Sequence, residues 1–204
     1  GHSHLMAATI PNCVSYDPTF HYEVAVILQD GMRRMLTDQE DVYYYITLMN
    51  ENYAHPDMPP GAEAGIIKGM YHLRDAHSPP APVTALNILR DNATEASASP
   101  LEGGGRAGSA RAGGGARVKT AKGENPRAQL LGSGTILREV LAAAELLDRD
   151  FNVKSDVWSC PSFTELRRDG ADVERWNRLN PESKPRKAWI TQCLEGRGAV
   201  AIAA

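Results

Sequence analysis

Ile10-Pro11-Asn12-Cys13-Val14-Ser15-Tyr16-Asp17-Pro18 is a short β-leaning stretch bounded by prolines, and residues 10–17 read as a buried strand. From Thr19 the period changes. Phe20, Val24, Ile27, Leu28, Gly31 and Met35 recur every three to four residues, as one face of a helix does. Thr19 is the expected N-cap, and Glu23 adds negative charge where the helix dipole favours it. Arg33 and Arg34 suit the opposite pole. A polar turn, Asp38-Gln39-Glu40-Asp41, leads to Val42-Tyr43-Tyr44-Tyr45-Ile46-Thr47-Leu48, rich in β-branched and aromatic residues and therefore a strand. Strand, helix, strand is the grammar of a parallel α/β layer.

Working outward, a strand-like stretch, Leu5 to Ile10, precedes this unit. Beyond it, Asn50-Glu51-Asn52-Tyr53 and a cluster of prolines mark a loop and a domain exit. A short connector helix is expected over residues 59–76, with Ala62, Ile66, Met70 and Leu73 on one side, weakened by Gly65 and Gly69. Residues 77–127 change character. Pro79-Pro80-Ala81-Pro82 opens a run that holds Gly103-Gly104-Gly105 and Gly113-Gly114-Gly115. Such a composition buries too little apolar surface to offset its ordering entropy, so it reads as a low-complexity flexible insertion with a marginal helix at residues 84–90. Its basic residues carry no interleaved aromatics for base stacking, so a solvated linker is the reading preferred over an RNA-binding tail.

A second α/β layer follows. Ala128-Gln129-Leu130-Leu131 is a strand, Gly132-Ser133-Gly134 a turn, and Thr135 opens a helix whose apolar face is Ile136, Leu137, Val140, Leu141, Ala144 and Leu147. Val153 to Trp158 is a further strand. Short helical pieces are expected at residues 164–168, 173–179 and 189–194, and a last strand at residues 199–203. That closing apolar run, with no Met at position 1, reads as a fragment of a longer chain.

Charge is mild, with 22 Lys plus Arg against 25 Asp plus Glu, and this does not suggest a nucleic-acid binder. The apolar runs are too short to span a bilayer, and the start lacks the basic-then-apolar pattern of a signal peptide. Three widely spaced cysteines, Cys13, Cys160 and Cys193, fit a reducing cytosol better than a disulfide framework. A cytoplasmic location is expected.

Few residues carry chemistry. The Gly132-Ser133-Gly134 turn could cradle an anion, but it matches neither a dinucleotide fingerprint nor a phosphate loop, and a tight βα turn is the plainer reading. Cys160 and Cys193 lack metal-ligand spacing. Trp158, Trp176 and Trp189 read as packing, Tyr43 to Tyr45 as divided between core and interface. Arg167-Arg168-Asp169-Gly170 reads as a charged turn, His55 and His72 as surface groups. His2 and His4 remain. On an extended chain alternate residues face the same way, so the two imidazoles could converge for proton transfer. By composition alone, the remnant of a purification handle or a mobile terminus is the preferred reading of Gly1-His2-Ser3-His4.

Longer blocks bear on that choice. Gly1-His2-Ser3-His4, Thr9-Ile10-Pro11-Asn12-Cys13 and Ser15-Tyr16-Asp17-Pro18 resemble the homodimeric, thiamine-diphosphate-dependent pyruvate dehydrogenase family, the decarboxylating first component of the bacterial complex. So do Tyr43-Tyr44-Tyr45-Ile46-Thr47, Asn50-Glu51-Asn52-Tyr53, Gly61-Ala62-Glu63, Leu130-Leu131-Gly132-Ser133-Gly134, Ser162-Phe163-Thr164-Glu165-Leu166, Asp169-Gly170 and Glu174-Arg175-Trp176-Asn177. The match covers residues 1 to about 75 and 128–204. It implies an α/β chain: the end of a transketolase-like pyrimidine-binding domain at residues 1–58, the connector at 59–76, the flexible insertion at 77–127, and the first part of a transketolase-like C-terminal domain at 128–204.

The resemblance also implies function. The family's oxidoreductase reaction joins the thiazolium ylid of thiamine diphosphate to pyruvate, releases carbon dioxide, and reductively acetylates a lipoyl group on the acyltransferase component. His4 aligns with an active-site His of the family, with His2 a close second. The implied role is to hydrogen-bond the reacting 2-oxo acid or its cofactor adduct, or to move a proton. The Gly-Asp-Gly…Asn segment that holds magnesium and diphosphate, and the Glu that activates the aminopyrimidine, are absent here, so the chain alone is expected to be inactive. The implied partners are a second copy, the lipoyl-bearing acyltransferase and pyruvate, with no nucleic acid and no membrane. Two other readings stay open: a non-catalytic α/β assembly module, and another transketolase-like thiamine enzyme.

Overall fold

Five strands expected from the sequence form. The computed structural model describes residues 3–76, 127–197 and 200–204. In it β1 (Cys13–Tyr16) is followed by α2 (His21–Met32), a π-helical turn (Arg33–Thr37) and β2 (Tyr43–Ile46). β2 lies parallel to β1, with Cys13 opposite Tyr43 and Tyr16 opposite Ile46. All four residues of β1 are buried, as befits a parallel strand covered on both faces.

The second sheet has the order β3 (Tyr71–Arg74), β5 (Lys154–Ser159), β4 (Arg127–Gly132), β6 (Val200–Ala203). β4 (Arg127–Gly132) and β5 (Lys154–Ser159) are parallel and joined by α4 (Ile136–Phe151). β6 (Val200–Ala203) lies parallel to β4 on the other side. Five residues of each central strand are buried, and the two with the largest polar side chains, Gln129 and Asp156, are paired with each other. The Gln129 amide donates to Asp156 at 2.6 Å and accepts from the Trp158 indole at 2.7 Å, so both ends of that buried amide are satisfied. α4 ends at Asn152, which adopts the left-handed conformation (φ 53°) that short amide side chains tolerate.

One core cluster serves both sheets. Val14, Tyr16, Phe20 and Ile27 from the first layer pack with Ile66, Leu130, Leu137 and Val157. Full burial of each such aliphatic side chain is worth about 1.5–3 kcal/mol. The two layers therefore share this cluster, and a smaller one gathers Met70, Leu131, Trp158, Cys160 and Leu166.

Several expectations need correction. Leu5 to Ile10 is not strand-like: residues Ser3–Ala7 form a helical turn, α1. Thr19 does not cap α2, because its hydroxyl donates to the Gly134 carbonyl at 2.8 Å. The Glu23 carboxylate reaches back instead, accepting from the Thr19 and Phe20 N–H groups at 2.5 and 3.0 Å. The buried face of α2 is turned accordingly, with Glu23, Asp30 and Gly31 inside and Leu28 half outside. The helix expected over residues 59–76 stops after α3 (Glu63–Ile67). Gly69 then takes φ 92°, which no helix allows, and β3 (Tyr71–Arg74) joins β5 antiparallel. The two helical pieces at residues 164–179 are one helix, α5 (Phe163–Leu179), running through Gly170. Arg167 to Gly170 are thus helical, not a turn. The insertion expected at residues 77–127, with its marginal helix, lies outside the described residues except for Arg127, which opens β4.

Candidate functional site

The carboxyl ends of three strands meet at one cavity. Asp17 follows β1, Ser133 follows β4 and Cys160 follows β5, while Thr47, just past β2, hydrogen-bonds the lining residues His4 and Asp17. Open α/β sheets bind ligands at such carboxyl ends, where the chain leaves the layer and its side chains are spare. The cavity measures about 140 Å³, and its lining includes His4, Ser15, Asp17, Ser133, Ser162 and Thr164.

His4 comes from α1. Its Nε2 lies 3.0 Å from the Thr47 hydroxyl oxygen, and its ring meets Tyr45 edge-on at 5.4 Å. Thr47 in turn donates to Asp17 Oδ1 at 2.5 Å. The other Asp17 oxygen accepts from Ser133 at 3.3 Å. The Asp17 backbone is held from both ends: its N–H donates to Pro161 at 2.6 Å, and its carbonyl accepts from Gly134 at 3.0 Å. The Gly132-Ser133-Gly134 turn therefore spends a hydroxyl and a backbone N–H on Asp17.

The opposite wall is a hydroxyl cluster. Ser162 caps α5 by accepting from the Glu165 N–H at 3.0 Å, and its own hydroxyl donates to the Ser15 carbonyl at 2.6 Å. The Ser15 and Thr164 hydroxyls lie 2.7 Å apart. Cys160 is fully buried, and burial with Cys193 nearby pushes its thiol up to about 12. It is an inert part of the wall.

Of the two histidines singled out by sequence, His4 stands at this cavity and His2 lies outside the described residues. The alternation argument does not apply to His4, since α1 is helical. Asp17, Thr47, Ser15, Ser162 and Thr164 were missed by sequence reading. Ser162-Phe163-Thr164-Glu165 does carry a capping signal that marks the start of α5. Cys13 is buried in β1. Trp158 and Trp189 are packing groups, and Trp176 lies under the Arg186 guanidinium at 3.9 Å. His55 accepts from the His21 N–H near the surface.

His72 is a correction. It lies on β3, with Nε2 buried 3.8 Å from the fully buried Asp156. His72, Asp75 and Asp156 bring their ligand atoms within 4.8 Å of one another. Arg127 and Arg197 already place positive charge beside Asp156, at 3.3 and 3.9 Å, which opposes a metal ion there.

The lining can be tested against the cofactor implied by the resemblance. Among the described lining residues there is one carboxylate and no Lys or Arg. A diphosphate needs opposite charge, and magnesium needs several oxygen ligands in near-octahedral array. The volume also falls below the roughly 300–1,000 Å³ of whole-ligand pockets. These residues do not fit the diphosphate and metal end. They suit a small polar group offered to an imidazole and several hydroxyls. No helix among the described residues is long and apolar enough to cross a membrane.

Two family models match successive parts of the chain. The family model for the pyruvate dehydrogenase E1 component middle domain matches residues 1–56, and that for the transketolase-like C-terminal domain matches residues 114–204. The chain is 48% identical over 201 residues to the pyruvate dehydrogenase E1 component of Cupriavidus necator, covering 98% of this chain and 18% of that protein. It is 48% identical over 203 residues to that of Pseudomonas aeruginosa, covering 100% of this chain and 18% of that protein. Against that of Escherichia coli K12 it is 45% identical over 202 residues, covering 98% and 18%. The chain thus spans about a fifth of the length of these relatives. With both layers matched in order and nearly every residue aligned, the chain belongs to the pyruvate dehydrogenase E1 component family.

Proposed function

We propose that this chain forms one wall of the active site of a pyruvate-decarboxylating enzyme, with His4 as the residue that meets the reacting group. The observation that carries this is the placement of the His4 imidazole, at a cavity built by three strand ends, in hydrogen bond with Thr47. Thiamine diphosphate with magnesium, held by residues elsewhere in the longer enzyme, supplies the electron sink for decarboxylation. The chain's own residues bind, orient and move a proton. His4 offers an imidazole that can donate to or accept from a carbonyl or hydroxyl oxygen, and His2 lies two residues before it as a second candidate. Ser15, Ser162 and Thr164 present hydroxyls that can orient a small polar substrate.

In the longer enzyme the product acyl group passes to a lipoyl group on the acyltransferase component of a cytoplasmic complex, and the working unit is a homodimer. The isolated chain is inactive, because no lining residue among those described can hold a diphosphate. Two measurements test this. The chain incubated with pyruvate, thiamine diphosphate and magnesium should release no carbon dioxide; turnover would overturn the claim that essential parts lie elsewhere. In the longer enzyme, His4→Gln should lower kcat by about 10²-fold or more, the range of lost acid–base catalysis, and leave cofactor affinity nearly unchanged. An unaltered kcat would remove His4 from the chemistry.

A further inference from the structure

The Thr47 hydroxyl has one proton to give. It lies 2.5 Å from Asp17 Oδ1 and 3.4 Å from the Tyr16 carbonyl. An ionised carboxylate only accepts, and it is the stronger acceptor. The proton therefore points to Asp17, and the Thr47 oxygen is left to accept from His4. That makes His4 Nε2 the protonated nitrogen of the neutral ring. Nδ1, which has no hydrogen-bond partner among the described residues, keeps the lone pair.

We propose that Asp17, acting through the Thr47 hydroxyl, is the positioning residue that fixes the tautomer and orientation of His4. The proposal rests on the reading of His4 given above. Its physical basis is a directed chain: His4 N–H to Thr47, Thr47 O–H to the Asp17 carboxylate. The chain has a fixed end. Asp17 is tied by Ser133 at its second oxygen, by Gly134 at its carbonyl and by Pro161 at its N–H. Three of these anchors come from the second layer, while His4 and Thr47 belong to the first. The second layer thereby sets the direction of a histidine that it does not carry. The Tyr45 ring, edge-on to the imidazole, limits rotation on another side. When His4 takes up a proton at Nδ1, the carboxylate one hydroxyl away balances the charge. When it releases the proton, the ring returns to the same tautomer without turning over.

The test uses Thr47→Val, which keeps the side-chain shape and removes the hydroxyl, with Thr47→Ser as the conservative partner. Long-range ¹⁵N–¹H NMR of His4 in this chain should show the Nε2–H tautomer in the parent and in Thr47→Ser, and a mixture in Thr47→Val. In the longer enzyme, Thr47→Val and Asp17→Asn should each lower kcat by about 10- to 100-fold, the size seen when a ligand-orienting partner is lost. The KM for pyruvate should move less, and Thr47→Ser should restore most of kcat. The double variant should lose little more than the worse single one, since both cut one chain. A His4 tautomer that Thr47→Val leaves unchanged overturns the proposal, whatever the activity. So does an impaired His4→Gln beside a fully active Thr47→Val, a result that leaves the reading of His4 standing. A fully active His4→Gln instead overturns that reading and the catalytic part of the proposal with it.

Discussion

The carboxylate of Asp17 occupies the space where a side chain at Gly134 would begin. Gly134 also has φ 49°, in the left-handed region that L side chains rarely adopt. Two independent constraints thus demand glycine at the turn that latches Asp17. Gly134→Ala should destabilise the chain by at least about 1 kcal/mol, because an alanine at positive φ is strained and here also clashes. In the longer enzyme it should lower kcat as well, by displacing Asp17. Gly170→Ala is the matched control. That position lies inside α5 with open space where its side chain would go, so alanine should stabilise by up to about 1 kcal/mol. Urea midpoints of the two variants moving in the same direction would contradict this account.

How much of this could be read from the sequence depends on the kind of signal. β1, β2, β4 and β5 were legible because each carries short β-branched, aromatic or apolar stretches, such as Tyr43 to Ile46 and Leu130-Leu131, beside turn residues. α4 was legible because Leu137, Val140 and Ala144 hold a helical period, although Ile136, expected on that face, is half exposed. The inner face of α2 was misjudged at Glu23 and Asp30. Periodicity assigns a carboxylate to the outside, and only the tertiary partners reveal why these two are inside. Asp30 accepts from Tyr44 at 2.9 Å and from Arg33 at 2.8 Å, and burial with the hydrogen bond to Asp30 pushes the Tyr44 phenol up to about 12. At the site, His4 stood out by residue type and by resemblance. Asp17 and Thr47 did not, because they are 30 residues apart and meet only when β1 and β2 pair in parallel.

The Cys160 thiol offers a chemical probe of the cavity wall. With burial pushing it up to about 12, its thiolate fraction at pH 8 should be on the order of 10³-fold below that of an ordinary cysteine. Iodoacetamide labelling followed by mass spectrometry should find Cys160 modified only as fast as the chain unfolds. Cys193 is partly exposed and should react ahead of it. Labelling of Cys160 in the native chain at the rate of an unfolded peptide would mean that the wall opens readily to solvent.

Glu23 links the two layers and should leave a mark on the pH dependence of stability. It is fully buried, and its second oxygen accepts from Tyr71 at 2.7 Å and from Ser159 at 2.6 Å, while the first caps α2. Burial raises its pKa, and the hydrogen bonds from Ser159, Tyr71, Phe20 and Thr19 recover only part of that rise. The sign follows from linkage: the folded state favours the protonated acid more than the unfolded state does. The contribution is therefore fully present below the ordinary carboxyl value of 4.5 and is lost as pH rises through the folded-state pKa. Glu23→Gln cannot ionise. Its carbonyl can still accept from the two backbone N–H groups, and its amide can donate to the Tyr71 and Ser159 oxygens. The stability of Glu23→Gln relative to the parent should thus improve as pH rises from about 4.5 towards neutrality. Glu23→Ala should cost about 1–3 kcal/mol near pH 4.5, since it leaves buried N–H groups without acceptors, and less as pH rises and the parent loses its own contribution. Urea unfolding of the three proteins across that range separates these effects. Parallel curves for the parent and Glu23→Gln would show that the carboxylate is ionised in the fold at no net penalty, and that its four donors match the solvation it gives up.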